Sequence, residues 1–562
     1  MKLNGAQIIC KLLERQGITT LSGIPGGAIL PLYDALYDSP LRHVLARHEQ
    51  GAGFIAQGMA RVTGKAAVCL GTSGPGATNL LTAIADAKLD SVPLVAITAQ
   101  VARSLLRTDA FQEVDTFGLT LPITKHSFMV MHTEELLDAI PQAFAIAQSG
   151  RPGPVVVDVP KDVFQGEIEI DEWPEPGRAA EPEPVAAEAI ARMVELITAA
   201  RRPVLYIGGG VIGADAGEWV RQLAEKTSAP VTSTLMGLGA ISCDHPLSIG
   251  MLGMHGAPYT NYLMDEADLL VVVGARFDDR ATGYAAKFCQ HARIIHIEID
   301  PCEIDKIKLA TFSVAGHAGE VLSRLVPALP QQPDRAPWRQ RLAELKADHP
   351  LVIPQRETGI HPLEFCRALG KLLPADALVA TDVGQHQMWM AQGYPVRAPR
   401  TYLTSGGLGT MGFGLPAAIG GALAKPERRT VCVSGDGSIL MNVQELATLA
   451  ELGLNVTVII LNNQRLGMVR QQQELFYGKR YEASTFERQP DFAALARAFG
   501  LAAWDIPAGT PRAEIEKTLC EALHHNGPGL VNLAIDANEN VFPIVPPGAA
   551  NTDMIGTTLA DC

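Results

Sequence analysis

The sequence predicts an α/β protein with three doubly wound, parallel-sheet domains, and three features of its patterning carry that expectation. Short runs rich in Val, Ile and Leu, such as 269–273 and 456–461, stop at turns bearing Gly, Asp or Asn. Helix-forming segments follow, and strand-turn-helix alternation of this kind feeds parallel strands through crossover helices. The alternation comes in blocks separated by two stretches unsuited to regular structure. One is the acidic, proline-bearing run 167–188; the other runs from Gln331 to about Glu357 and carries a charged helix expected over 338–347. A length of 562 residues suits roughly three to four domains. The expected units are 1–165, 189–330 and 358–548, with a tail over 549–562.

The first block opens with apolar groups at helical spacing over 6–16, capped by Asn4 and stopped by Gly17. A strand and the glycine turn 23–27 come next. The run 44–52, with Glu49 at its centre, passes from a strand into a helix that reaches Arg61. A strand over 66–70 leads to 72–79, a turn opening another helix, and the block closes on the apolar strand 153–160. Glu49 is a carboxylate at the mouth of a helix, which by position alone reads as a dipole-stabilised surface group. The second block starts at 202–210 and contains 269–280 and 294–301, strands that end in Gly or Asp turns where a nucleotide would sit. Gly208-Gly209-Gly210 does not match Gly-x-Gly-x-x-Gly, so the residues alone lend a dinucleotide little support. The third block begins with a helix over 361–373 and a strand over 378–384, and ends with a strand near 529–533 and a proline-rich stretch over 543–548.

The most informative stretch is 434–463. A β-rich run over 430–433 stops at Ser434-Gly435-Asp436-Gly437-Ser438, a helix is expected over 442–450, and a second strand ends at Asn462-Asn463. Glycines let backbone N–H groups approach phosphate oxygens, and in a parallel sheet both strands finish at the ligand-binding edge. Asp436 and Asn463 can then supply two oxygens to one hard cation, Mg²⁺ by preference, with a carbonyl near Arg465 and diphosphate oxygens completing the shell.

Composition narrows the remaining classes. No apolar run reaches the roughly 18 residues of a membrane span, and Met1-Lys2-Leu3-Asn4-Gly5 lacks a signal-peptide pattern, so a cytoplasmic protein is expected. Net charge of −14 disfavours nucleic acid and anionic membranes as partners. Nine scattered cysteines without a Cys-x-x-Cys pair argue against disulfides and zinc.

The 434–463 arrangement resembles the fingerprint of thiamine-diphosphate enzymes. Over nearly its full length the chain resembles the catalytic subunits of the acetohydroxyacid synthase family. Its motifs include 23–27, 47–52, 72–79, 108–113, 122–126, 250–256, 276–280 and 382–389. The resemblance implies a pyrimidine-binding, an FAD-binding and a diphosphate-binding domain, in that order. It implies thiamine diphosphate, Mg²⁺ and FAD as cofactors, the flavin without redox duty in the main reaction. It also implies decarboxylation of pyruvate and transfer of the two-carbon unit to a second 2-ketoacid, giving 2-acetolactate from pyruvate or 2-aceto-2-hydroxybutyrate from 2-ketobutyrate. These products feed valine, leucine and isoleucine synthesis.

Roles follow by position. Glu49 would act catalytically, facing N1′ of the cofactor's aminopyrimidine from the partner chain of a homodimer or dimer of dimers. Pro25, Gly26, Val383, Gly384, Gln385, His386, Gly409, Met411, Gly435, Asp436, Gly437, Ser438, Asn463, Gly467 and Met468 would surround thiamine diphosphate, with Met411 as a wedge. Asp436, Asn463 and Arg465 would hold the metal. Gly208, Gly209, Gly210, Met254, His255, Gly256, Gly274, Arg276, Glu298 and Asp300 would contact FAD. Gly27, Phe111, Gln112, Lys125, Arg280 and Gln472 would meet substrate, Arg280 through the acceptor's carboxylate. A small regulatory subunit is expected as a partner, since nothing here resembles an amino-acid-sensing domain.

The chain departs from the family in three places. Gln472 stands where many members have tryptophan, which predicts weak preference for 2-ketobutyrate. Ala99-Gln100-Val101-Ala102 replaces Gly-Gln-Val-Pro, and Arg107 replaces a glycine. A catabolic, FAD-independent acetolactate synthase is the alternative, disfavoured by the segment 276–280. Glyoxylate carboligase is disfavoured by Glu49, a simple pyruvate decarboxylase or oxidase by the acceptor motifs, and a non-catalytic scaffold by the joint presence of Glu49, Asp436 and Asn463.

Overall fold

The computed structural model describes residues 1–354, 356 and 358–558. Glu357, at the end of the second expected linker, and 559–562 of the expected tail, with Cys562, lie outside the described residues. Three six-stranded parallel sheets form the protein. A two-stranded antiparallel sheet, β1 (Lys2–Asn4) with β8 (Glu167–Glu169), stands apart from them. It corrects the expectation that the acidic linker is irregular from residue 167. Three residues of alternating Glu-Ile-Glu carry no sequence signal, and only pairing with the N-terminus makes them a strand.

The first sheet holds β2 (Thr20–Gly23), β3 (Arg42–Leu45), β4 (Ala67–Gly71), β5 (Leu94–Gln100), β6 (His126–Met129) and β7 (Pro154–Pro160) in the order β3-β2-β4-β5-β7-β6. The second holds β9 (Pro203–Ile207), β10 (Val231–Ser233), β11 (Ser248–Met251), β12 (Leu269–Val273), β13 (Arg293–Glu298) and β14 (Phe312–Ala315), ordered β11-β10-β9-β12-β13-β14. The third holds β15 (Leu378–Thr381), β16 (Tyr402–Leu403), β17 (Thr430–Gly435), β18 (Val456–Asn462), β19 (Ala502–Ile506) and β20 (Gly529–Ala534), ordered β16-β15-β17-β18-β20-β19. The central strands β5, β7, β9 and β12 are buried along their whole length, as an apolar run between two helical layers must be.

Counted from its own first strand, the first sheet runs 2-1-3-4-6-5 and so does the third. The second runs 3-2-1-4-5-6, the order of dinucleotide-binding sheets. In each, the strand order reverses beside the first strand, between β2 and β4, between β9 and β12, and between β15 and β17. Ligand crevices open at those points.

Helix ends follow the local chemistry. Asn4 caps Gly5–Arg15 in a reciprocal box with Gln7. The helix expected over 442–450 starts later, at Glu445–Leu452, because a 3-10 turn, Ile439–Met441, precedes it. The charged helix is Ala336–Asp348. The first and third domains share one core across their boundary, where Glu49–Thr63 packs on Gly414–Ala424. Phe54 meets Phe413 edge to face at 5.3 Å there.

Candidate active site

The third sheet's crevice gathers most of the residues expected at a diphosphate and metal. β17 ends in Gly435, and Asp436 follows in a turn, 1% exposed. Asp436 Oδ2 and Asn463 Oδ1 both accept from the Arg465 backbone N–H, at 3.1 and 3.2 Å. Two oxygens from the ends of neighbouring strands therefore converge on one point. Burial raises the Asp436 pKa to about 6, and Gln489 hydrogen-bonds the same carboxylate. Among the described residues no group of three or more His, Cys, Asp or Glu is placed to hold a metal. A carboxylate and an amide at this turn suit a hard cation that takes its other ligands from phosphate and water.

Opposite, Asp382 ends β15's extension and organises two turns: it accepts from Val383 N–H at 2.9 Å and Gly412 N–H at 2.8 Å, with Ser434 Oγ at 3.2 Å. Gly384, at φ 149°, opens the helix Gln385–Gly393. Gln385 accepts from Asn463 Nδ2 at 3.1 Å and donates to Gln471 and to the Glu539 carbonyl, both at 2.9 Å. A methyl group on Gly467 would fall on that Gln385-Asn463 pair, so the helix Gly467–Phe476 begins with glycine. His386 is buried with Nε2 unpartnered, and burial lowers its pKa to about 3, leaving a neutral ring. A methyl group on Gly435 would meet that ring at 2.8 Å. Ser438 Oγ accepts from Gly435 N–H at 3.2 Å, and Gly437 lies against Leu466 and Phe486. Gly409 (φ 69°) and the half-buried Met411 sit on the loop before Gly414–Ala424, while Met468 packs partly into the domain core.

The first sheet's crevice carries Pro25, Gly26 and Gly27 beside Thr72. A Cβ on Gly26 would reach the Thr72 side chain at 2.6 Å, and Thr72 Oγ1 is a second buried polar atom without a partner. Glu49, 8% exposed, begins Glu49–Thr63 and accepts from Asn79 Nδ2 at 2.9 Å. Its neighbours Arg47 and His48 donate backbone N–H groups to Glu445 of the third domain, at 2.9 and 3.1 Å, and Gln50 meets Asn442 at 3.3 Å. Glu49 thus stands at the seam between the two domains. The unsatisfied His386 Nε2 and Thr72 Oγ1 leave each crevice with a buried polar atom for a ligand to satisfy.

The second sheet joins Gly208–Gly210 after β9 to Gly274 after β12. A Cβ on Gly210 would lie 2.6 Å from Gly274 Cα, so the two turns touch at the reversal point. Glu298, at the end of β13, accepts from Ile299 and Asp300 N–H at 2.9 and 3.1 Å, and burial raises its pKa. Asp300 takes Arg151 at 3.2 Å. Arg276 reaches the Leu89 carbonyl at 3.4 Å. Met254, His255 and Gly256 follow β11, and His255 Nδ1 lies 3.1 Å from the Pro543 carbonyl, its pKa lowered to about 4 by burial.

The residues expected at substrate are spread more widely. Phe111 is 88% exposed and Gln112 holds φ 59°, on a loop anchored by the Glu113 carboxylate, which accepts from Arg107, Thr108 and Ala110 N–H. Lys125 donates to the Ile146 and Ser149 carbonyls at 2.5 Å, closing the end of Leu136–Gln148; burial lowers its pKa to about 8. Arg280 keeps a largely free guanidinium, 3.8 Å from an exposed Asp279, while Asp278 caps the turn instead. Gln472 is exposed, one residue after the buried Gln471.

Three models of the thiamine pyrophosphate enzyme family match the chain in order. They are its N-terminal thiamine-binding domain at 3–119, its central domain at 190–325 and its C-terminal thiamine-binding domain at 382–533. The large subunit of acetolactate synthase isozyme 1 from Escherichia coli is 53% identical over 99% of this chain and 98% of its own. The isozyme 2 large subunit of that organism is 48% identical, covering 98% and 99%, and a Parasynechococcus marenigrum large subunit 49%, covering 99% and 91%. The chain belongs to the acetolactate synthase large subunits of the thiamine pyrophosphate enzymes. It is a thiamine-diphosphate-dependent acetolactate synthase.

For an acetolactate synthase chain, the residues that sequence reasoning left without a role are Asn79, Thr72, Asp382, Gln471 and Gln489. Asn79 and Thr72 belong to a motif already singled out; the signal for Thr72 is its place just after a strand, and that for Asn79 its place near the start of the helix that follows. Gln489 comes from irregular chain and carries no signal at all. No helix among the described residues is long and apolar enough to cross a membrane.

Proposed function

We propose that the chain is the catalytic subunit of an acetohydroxyacid synthase which converts two pyruvates, or pyruvate and 2-ketobutyrate, to the acetohydroxyacid and CO₂, using Mg²⁺ and FAD beside thiamine diphosphate. The convergence of Asp436 Oδ2 and Asn463 Oδ1 on the Arg465 N–H, beside the unpartnered His386 Nε2, is the observation that supports it most. Thiamine diphosphate, when bound, supplies a nucleophilic carbon and a sink for the electrons freed by decarboxylation. Asp436 and Asn463 would hold Mg²⁺; His386, Gln385, Gly437 and Ser438 would orient the diphosphate; Pro25, Gly26, Val383, Gly384, Gly409, Met411, Gly435, Gly467 and Met468 would shape its bed. Glu49 would hold a proton at the aminopyrimidine N1′, from the partner chain of a homodimer. Arg280 would draw the acceptor's carboxylate, since its exposed guanidinium is held only loosely, 3.8 Å from Asp279 and 3.6 Å from Met254 Sδ, in a chain that otherwise repels anions. The 3-2-1-4-5-6 sheet suits a dinucleotide such as FAD in the central domain, and the segment 276–280 disfavours the flavin-free catabolic enzyme. The relatives are named as large subunits, which supports a smaller regulatory partner here.

Acetolactate formation from pyruvate, with each cofactor omitted in turn and beside Glu49→Gln, tests the reading. Activity should need all three cofactors and fall by about 10²-fold or more in the variant. Full activity without FAD would move the assignment to the catabolic enzyme, and acetaldehyde as the sole product would refute the acceptor site.

A further inference from the structure

The loop 405–411 stands where all three domains meet, and its anchors have no part in the chemistry above. Two carboxylates of Pro75–Leu89 and the residue after it hold the loop's base. Asp90 accepts from Gly406 N–H at 3.0 Å and from Gly407 N–H at 2.6 Å. Asp86, fully buried, accepts from Ser405 Oγ and from Thr410 Oγ1 at 3.1 Å, and Ser405 Oγ in turn takes Thr410 N–H at 2.8 Å. Arg61 neutralises both carboxylates, at 3.3 and 2.7 Å, and lies over the Phe413 ring at 4.9 Å. Such a cluster of buried, paired charges has one geometry and resists others.

The central domain touches the same loop through Met236. A Cβ on Gly406 would meet Met236 Sδ at 2.5 Å, and a Cβ on Gly209 would meet Met236 Cβ at 3.2 Å. Met236 therefore lies between the Gly208–Gly210 turn and the base of the loop that carries Gly409 and Met411. Arg276 reaches Leu89, beside Asp90, from the other side of that crevice.

We propose that Asp86, Asp90 and Met236 are positioning residues that set the 405–411 loop against the central crevice, so that a dinucleotide bound there and thiamine diphosphate strengthen each other's binding. The inference rests on the reading that FAD occupies the crevice and that Gly409 and Met411 meet thiamine diphosphate. It gives a flavin without redox duty a physical task. A ligand over Gly208–Gly210 fixes Met236, Met236 fixes Gly406, and the loop's exposed tip at Leu408 and Gly409, beyond the carboxylate anchors, no longer costs thiamine diphosphate the entropy of arranging it. Linkage makes the effect mutual and equal in size.

The test is a titration of the full-length chain with FAD, followed by flavin fluorescence, with and without thiamine diphosphate and Mg²⁺. The flavin Kd should fall about fivefold or more when the second cofactor is present. In Met236→Ala that factor should approach one while FAD binding alone stays within about twofold, and Met236→Leu should restore it. Asp90→Asn should weaken thiamine diphosphate, read by tryptophan fluorescence, and leave FAD binding alone unchanged. Coupling that is absent in the wild type with both cofactors bound, or that survives in Met236→Ala, overturns the inference and leaves the FAD assignment standing. Failure of FAD to bind the wild type overturns both.

Discussion

Asp158 shows how burial, outweighing the hydrogen bonds it accepts, reshapes a carboxylate in this protein. It lies within β7, fully buried, accepting from Thr98 Oγ1 at 2.6 Å and Gln100 Nε2 at 3.3 Å, and burial raises its pKa to about 7. Between pH ~4 and ~7 the folded chain therefore keeps a proton that the unfolded chain has released. More protons bound in the folded state means that stability falls as pH rises through that window and levels off above it. Asp158→Asn has no such proton. Its stability relative to wild type should rise with pH from 4 to 7, by up to about 4 kcal/mol, and the difference in thermal midpoint between the two proteins measures it. A constant offset from the altered Gln100 contact does not change that slope, and a difference flat across the window would refute the assignment. Gln472 makes a different kind of prediction. Its exposed amide offers no apolar wall to the extra methyl of 2-ketobutyrate, and Gln472→Trp should shift product competition toward acetohydroxybutyrate by about 10-fold or more, since a methyl group in an apolar pocket is worth about 1–3 kcal/mol. Unchanged product ratios would place the acceptor pocket elsewhere. Residues at this scale were legible where a strand end and a glycine turn announce them, as with Asp436 and Asn463. Asp86, Asp90 and Arg61 were not, because on a helix they read as a solvated face until a second domain buries them.

At the scale of elements, the helices Glu49–Thr63 and Gly414–Ala424 occupy equivalent places, each following the second strand of a 2-1-3-4-6-5 sheet. Their contact is reciprocal. A Cβ on Gly58 would strike the Ala417 carbonyl, and a Cβ on Gly420 would strike the Ile55 carbonyl, each three residues before the other glycine. Both obstacles are backbone and cannot rotate away. Gly420→Ala gains about 0.5–1 kcal/mol of helix propensity, and overpacking a tight core costs about 1–3 kcal/mol. The second effect wins because the clash is with a carbonyl in a shared core. The expected outcome is a lower thermal midpoint; a higher midpoint would show that the helices yield. The apolar strands and their glycine turns were readable because period and punctuation agree there. Sheet order was not, since pairing is decided by packing between blocks that share no visible repeat. The pair β1 and β8 lay hidden for the same reason.

Across the whole molecule, the stretch after β20 ties the third domain back to the second. Glu539 gives its carbonyl to Gln385, and the Pro543 carbonyl lies against His255. Farther on, Val545 N–H donates to Met254 at 2.9 Å, Tyr284 N–H to Ala549 at 2.9 Å, and Asn551 Nδ2 to the Ala281 carbonyl at 2.7 Å. Proline-rich sequence hid this from the reading of the chain alone, because backbone without helix or strand leaves no periodic trace while still donating and accepting hydrogen bonds. The strap brackets Met254, His255 and Arg280, the segments assigned to flavin and acceptor. Ending the chain at residue 542 would strip the bonds made by 543–551, keep the Glu539 carbonyl on Gln385, and expose the buried His255 ring while sparing Asp436, Asn463 and His386. Such a truncation should lose bound flavin and raise the KM for the acceptor 2-ketoacid, with Mg²⁺-dependent binding of thiamine diphosphate by the flavin-free protein nearly unchanged. Flavin content per chain after gel filtration, set beside thiamine diphosphate titrations of flavin-free wild type and truncated protein, separates the two sites. Retained flavin would show that the crevice at Gly208–Gly210 and Gly274 holds its ligand unaided, and equal loss of both cofactors would show that the strap supports the fold as a whole.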